Sequence, residues 1–407
     1  MRAAATVILA VLAVAGCSSG QGPTSASSGT AATSTTTSPA PKDPVVKLDA
    51  TTAKATYLSP VKLVVTDGSF ASVQVSASGD GAGDDAELLG DVSADGASWL
   101  SEAPPRPAAS YQVTASVKDA AGQLRTQTVN FAVEGVPDDQ KLAFGVTPDD
   151  GQTVGIGQPV VVRFFTPVTK RAAVEKVLTV DARTPAGASV TGAWHWLNSQ
   201  EVHWRPQAFW TPGTKVTLQM RIAGVQAATN RYGRKDYAET FTIGAAHTTE
   251  VDAVSHRVKV YRDGKLVDDW PSGTGRRGLE TYSGTYIVLG KAPVVKMDSC
   301  SARITCDKKN PDYYDEKEYW ATRITASGTF LHAADWDGLL GRANVSHGCV
   351  HLSGTNAKDF FQHAVVGDVV TVKRTGRGPQ DRIKTQDPGL YDWNLSWSQW
   401  TAGSALR

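Results

Sequence analysis

The feature that most limits what this chain can fold into is a recurrent alternation of short β-rich runs with Gly, Asp and Pro turns, sustained from Pro44 to about Gly244. Val61-Lys62-Leu63-Val64-Val65 runs into Asp67-Gly68, Val73 to Ser76 precedes Gly79-Asp80-Gly81, and Tyr111 to Val117 precedes a turn at Asp119 to Gly122. Gln127 to Val133 supplies a further alternating run. A second series follows at Val160 to Phe165, Val190 to Trp196, Glu201 to Trp204, Lys215 to Ile222 and Glu239 to Ile243. Period-two runs bounded by turn residues read as strands, and many short strands with turns between them read as sandwiches. The chain is therefore expected to be mainly β.

The two series divide the region into two expected immunoglobulin-like β-sandwiches, residues 44–136 and 137–246, neither of which contains a cysteine. The second holds Trp194, His195, Trp196, His203, Trp204, Phe209 and Trp210. Alternate residues of a strand face opposite sides, so such a set is expected to supply sandwich core and inter-domain packing in preference to an exposed sugar-binding face.

A third unit, residues 247–375, opens with the strongest hairpin signal in the chain: His256 to Arg262, Asp263-Gly264, then Lys265-Leu266-Val267. Tyr286 to Leu289 and Gly328 to His332 read as strands, and Asp368 to Lys373 as a closing strand. One short helix is legible, with Ser353 as N-cap, Ala357, Phe360, Phe361 and Ala364 as its apolar stripe, and Gly367 after it. The last segment, 376–407, carries Trp393, Trp397 and Trp400 at helical spacing and is expected to dock on the third unit.

Ahead of the β region, Ala3 to Ala15 is apolar but too short to span a bilayer, and reads as the hydrophobic part of a signal peptide. Its ending, Val14-Ala15-Gly16-Cys17, resembles the lipobox of bacterial lipoproteins, which implies a signal over 1–17 and lipidation of Cys17. Ser18 to Pro41 is Ser, Thr, Gly, Ala and Pro apart from Gln21; such composition buries no core, so 18–43 is expected to be a disordered tether. The expected location is extracytoplasmic, on the outer face of the membrane and facing the wall. With 41 Lys and Arg against 40 Asp and Glu, the chain lacks the basic excess of a nucleic-acid binder.

The remaining cysteines are Cys300, Cys306 and Cys349. Cys300 and Cys306 are close enough to close a small loop as a disulfide; free thiols, or a metal site completed by His332 or His347, are the other readings. Chemistry concentrates in Ser346-His347-Gly348-Cys349-Val350-His351, with His332 upstream. A thiol becomes a nucleophile as its thiolate, which a neighbouring imidazole generates by taking the proton. Gly348 permits unusual dihedrals that could turn N–H groups toward an oxyanion.

His332, Ser346, His347, Gly348 and Cys349 together resemble the L,D-transpeptidase family of cell-wall enzymes, and the order of lipoprotein signal, two immunoglobulin-like domains, catalytic domain and Trp-rich tail resembles its mycobacterial and wider actinobacterial branch. The resemblance implies Cys349 as nucleophile, His332 as base with the Ala333 carbonyl orienting it, the N–H groups of His347, Gly348 and Cys349 as oxyanion donors, and a supporting role for His347. It implies a substrate cleft lined by Met297, Tyr314, Ser327, Gly328 and Trp336, with Ser346 and His351 contributing to substrate binding. His351 stands where the family usually has Asn or Arg, and a Cys300–Cys306 disulfide would stiffen the lid over the cleft. The implied reaction forms 3-to-3 cross-links between peptidoglycan stem peptides, from a tetrapeptide donor to a diamino-acid acceptor, with no cofactor and with carbapenem β-lactams as inhibitors. Hydrolysis as an L,D-carboxypeptidase, or a non-catalytic wall-binding lipoprotein, are the competing readings.

Overall fold

The alternating runs pair as their patterning predicts. In a computed structural model that describes residues 42–379 and 391–407, apart from 50–53, 80 and 84–86, the chain is mainly β. The signal segment, the Cys17 anchor and the Ser18–Pro41 tether lie outside the described residues.

The first sandwich packs a four-stranded sheet, ordered Val45–Leu48, Lys62–Thr66, Ser98–Ser101 and Gly90–Val92, on a three-stranded meander of Gly68–Ser78, Ser110–Asp119 and Leu124–Ala132. Inward residues of both sheets, among them Leu63, Trp99, Val113, Ala115 and Val117, form one apolar cluster. The second sandwich pairs the sheet Gly192–Trp196, Glu201–Pro206, Val160–Phe164 and Phe144–Thr147 with the sheet Leu178–Arg183, Lys215–Met220, Tyr237–Ile243 and Thr153–Val154. Trp194, Trp196, Trp204 and Trp210 are buried in its core, so the Trp-rich stretch is packing material.

The C-terminal segment corrects one expectation. Its tryptophans dock chiefly on the second sandwich, and they belong to two short helices, Tyr391–Asn394 and Trp397–Thr401. Trp393 Nε1 donates to the Gly157 carbonyl (2.7 Å) and Trp400 Nε1 to that of Ala193 (2.9 Å). The Arg205 guanidinium lies over the rings of Trp393, Trp397 and Trp400 at 4.6, 5.3 and 4.5 Å. The third unit is reached through Asn394, whose amide exchanges two hydrogen bonds with the Thr285 backbone. Helical spacing announces an apolar stripe but not its partner, and the partner here is a sheet whose outer face already carries Arg205 and His195. That cover explains why Val202 to Pro206 are buried on both faces of the strand. Trp400 is fully buried and stacks on His195. Trp400→Ala should therefore destabilise the second sandwich by about 3–5 kcal/mol, read as a lowered midpoint of its thermal transition; an unchanged midpoint would contradict this docking.

The third unit has two sheets. One is five-stranded, ordered Lys265–Pro271, Arg257–Arg262, His247–Asp252, Val369–Lys373 and Gly284–Ile287. Its hairpin turns at Asp263 and Gly264, both with positive φ (48° and 75°), the backbone that a two-residue type I′ turn requires. The other sheet orders Gly290–Asp298, Asp315–Arg323, Phe330–Ala333 and Val350–Leu352. Its first two strands form a long hairpin that the sequence reading left unassigned. The helix Gly354–His363 packs against this sheet, with the Ser353 hydroxyl accepting from the Asn356 N–H as expected of an N-cap.

Candidate active site

Strand pairing brings together the residues that are far apart in sequence. Phe330–Ala333 and Val350–Leu352 run parallel, with His332 opposite His351. Cys349, the residue just before that strand, is thereby delivered beside His332. Cys349 is partly buried and is the one free cysteine among the described residues; Cys300 and Cys306 are joined as a disulfide.

The turn that presents the thiol is held from several sides. The Ser346 hydroxyl donates to the Cys349 carbonyl (2.6 Å) and accepts the Gly348 N–H (3.1 Å). The Thr281 hydroxyl donates to the Gly348 carbonyl (2.9 Å) and accepts the Gly275 N–H (3.0 Å). Gly348 has φ +126°, a backbone that a side chain would strain. Two expectations change here. Ser346 is buried and ties the turn, so it is a scaffold residue and not a substrate contact. The Gly348 N–H already has an acceptor, which removes it from the expected oxyanion donors.

His332 is buried, and its Nδ1 lies 2.9 Å from the Ala333 carbonyl and 3.1 Å from Oε2 of Glu318. The carbonyl was expected; the carboxylate was not. With Nδ1 occupied, Nε2 is the nitrogen left for the Cys349 thiol, whose sulfur lies 3.8 Å from the Gly328 carbonyl. Burial alone would push the His332 imidazole down, but hydrogen bonds and negative charge from Cys349 and Glu318 raise it to about 10. The imidazole is thus built to carry a proton.

His351 behaves oppositely. Its ring meets that of His332 edge-to-face at 5.0 Å, and its Nδ1 lies 2.8 Å from Oδ2 of Asp337. Burial first, and then the positive charge of His332, lower it to about 4 against the pull of Asp337. It is a buried, neutral wall of the site. His347 points elsewhere: its Nε2 is 3.7 Å from Asp312, which also pairs with Arg276, and its ring lies 5.0 Å from that of Tyr314. Burial and the charge of Arg276 lower His347. Burial, reinforced by charge at Cys349, pushes the Tyr314 phenol up, so it stays protonated.

A cavity of about 500 Å³ is lined by Cys349, His332, His347, Gly348, Met297, Tyr314, Ser327, Gly328, Trp336 and His351. Every residue expected at the cleft except Ser346 reaches it. Glu318 lines it as well, and so does Arg303, which sits inside the loop closed by the disulfide. A larger cavity of about 880 Å³ lies beyond the same hairpin and shares Met297, Ala302, Arg303, Tyr314, Ser327 and Gly328 with the first. It does not touch Cys349, so the chemistry belongs to the smaller one. Trp336 is 64% exposed at the mouth of the cleft, its ring edge-to-face with His351 at 5.0 Å.

A thiol, a cationic imidazole, a buried carboxylate and an elongated cleft form a set suited to acyl transfer through a thioester. Comparison with known proteins bears on the same point. Residues 247–372 match the model of the L,D-transpeptidase catalytic domain, and residues 52–226 match that of a bacterial Ig domain. L,D-transpeptidase 2 of Mycobacterium tuberculosis is 33% identical over 353 residues, which cover 85% of this chain and 81% of that protein. L,D-transpeptidase 1 of the same species is 34% identical over 252 residues, 61% of this chain and 92% of that one. A solved structure of an LD transpeptidase in complex with imipenem is 34% identical and covers 57% of this chain and 99% of its own, with a TM-score of 0.49. With its β architecture, its catalytic-domain match and a relative that it spans over four fifths of its length, this chain belongs to the L,D-transpeptidase family.

Proposed function

We propose that the protein forms 3-to-3 cross-links between peptidoglycan stem peptides through a cysteine thioester, and the observation that carries this reading is that parallel strand pairing brings the buried His332 imidazole and the Cys349 thiol into one cleft. Cys349 gives its proton to His332 Nε2, and the thiolate attacks the carbonyl between the third residue of a tetrapeptide stem and its terminal D-Ala. The carbonyl oxygen becomes an oxyanion, for which the Cys349 N–H is the donor candidate once Gly348 is committed to Ser346. The C–N bond breaks, the departing D-Ala amine takes the proton from His332, and a thioester remains on Cys349. Loss of the sulfur charge removes one of the influences that raise His332, which leaves it ready to act as a base. The side-chain amine of a second stem attacks the thioester, gives its proton to His332, and the thiolate departs.

Carbapenems enter the same pathway, with Cys349 opening the β-lactam ring and His332 protonating its nitrogen. The domain division at 44–136, 137–246 and 247–375 and a lipid anchor at Cys17 belong to this reading, in which the enzyme acts outside the cytoplasm. The loop closed by Cys300 and Cys306 carries Arg303 to the cleft, which supports a stiffened lid. Transfer is separated from hydrolysis by incubating the full-length chain with a purified tetrapeptide muropeptide and reading the products by mass spectrometry. Cross-linked dimer supports transfer. Tripeptide alone would replace it with carboxypeptidase activity, and unchanged substrate would leave only wall binding.

A further inference from the structure

One buried group near the nucleophile has no place in the chemistry above. Glu318 lies on the strand Asp315–Arg323, is 7% exposed, and its Oε2 is 3.1 Å from His332 Nδ1. A carboxylate in such a position costs free energy unless it compensates a positive charge. That oxygen faces His332, and the Nδ1–H it shares with the Ala333 carbonyl is directed by both acceptors at once.

Building on the cysteine-thioester reading, we propose that Glu318 is a positioning residue that completes a Cys349–His332–Glu318 group: the Ala333 carbonyl selects the Nδ1–H tautomer, and the Glu318 carboxylate holds the resulting imidazolium in place while Cys349 reacts.

The division of labour follows from the chemistry of the two acceptors. A backbone carbonyl fixes a tautomer but carries no charge, whereas a carboxylate also stabilises the cation that forms opposite a thiolate. Other charged groups surround the site: Arg303 and Glu316 line the same cavity, as do Glu280 and Arg377, which pair with each other. His351, from the neighbouring strand, is the one positive-capable group against its ring and is held by Asp337. Asp335, two residues beyond the strand, accepts the Gly354 N–H (2.6 Å). On the packed helix, Lys358 lies over Trp320 and Asp359 faces His363. His347, at the far side of the nucleophile turn, faces Asp312. Glu318 is therefore the carboxylate in contact with the imidazole.

The test is the pH dependence of Cys349 acylation by a carbapenem, measured on the full-length chain by mass spectrometry of the Cys349 peptide. The upper limb of that profile reports loss of the imidazolium proton. In Glu318→Gln the tautomer is still selected by Ala333, so acylation should persist at roughly a tenth of the native rate, with the upper limb moved down by about one pH unit or more. Glu318→Asp, which keeps the charge, should return most of that shift. A Glu318→Gln limb that coincides with the native one overturns the inference. Should the variant fail to fold, the native protein carries the test: a ¹⁵N-histidine spectrum in which His332 is already neutral at about pH 8 overturns it equally, and a doubly protonated ring supports it. A native Cys349 that takes no carbapenem at all would instead defeat the proposed function, so the two failures are told apart.

Discussion

Replacing Cys349 by alanine should abolish cross-linked product and carbapenem adduct together, while the protein still melts in a cooperative transition. Both outcomes follow from where the sulfur sits. It is partly exposed in the cleft, and its contact to the Gly328 carbonyl is long at 3.8 Å, so deleting it removes little beyond its interaction with the His332 imidazole. The turn around it is tied by Ser346, Thr281 and Gly275, none of which uses the thiol. A truncation of this size changes stability by about 1 kcal/mol, which leaves the fold intact. The chemistry has no substitute: no other free cysteine is present among the described residues. The check pairs a melting curve with the muropeptide reaction, and residual dimer from the alanine variant would require a different nucleophile.

His332→Ala should be the second most damaging change, slowing acylation by about 10²–10⁴-fold, the usual contribution of a positioned acid–base group. The loss should also depend on pH. In the native protein the imidazole accepts the thiol proton and remains charged well above neutrality, because Cys349 and Glu318 raise it to about 10. Without it, the thiol must give its proton to solvent, which hydroxide promotes as the pH rises. The variant's rate should accordingly rise with pH. Comparing acylation rates of the two proteins at about pH 6 and about pH 9 checks this, since the gap should be wider at the lower value. A gap independent of pH would mean that His332 acts only by shape. Because the ring is buried between Glu318 and His351, the variant also leaves a cavity and an uncompensated carboxylate, so its melting curve belongs beside its kinetics.

Much of this site was legible in the sequence, for a reason that also marks the limit. His332, Cys349 and the turn glycine are set by reaction chemistry, and chemistry of that kind leaves a local signature. The hairpin at Asp263-Gly264 and the Ser353 cap were legible because each depends on residues within a few positions. The long hairpin Gly290–Asp298 with Asp315–Arg323 was not, since much of it is exposed on both faces and Pro293 interrupts it; no period-two burial pattern is written into such strands. Glu318 was missed for a related reason. Within Asp315-Glu316-Lys317-Glu318 it reads as one more solvated charge, and only the tertiary position of His332 distinguishes it from its neighbours. Ser346 misled in the opposite direction. A hydroxyl beside the nucleophile suggests a substrate contact, whereas the folded turn spends it on the backbone of Gly348 and Cys349. The tryptophans of the C-terminal segment displayed their stripe but not their partner, because a stripe is a property of one element and docking is a property of two.

In the proposed reaction the stem peptide passes through a covalent bond to one sulfur. That step is tested most directly by quenching the full-length chain in acid shortly after mixing with a tetrapeptide muropeptide lacking an acceptor amine, then mapping the adduct by mass spectrometry. The expected result is a labile acyl group equal to the muropeptide less its terminal D-Ala, carried on the Cys349 peptide, with free D-Ala released in equal amount. Release of D-Ala with an unmodified Cys349 peptide, or an acyl group on any other residue, would contradict it.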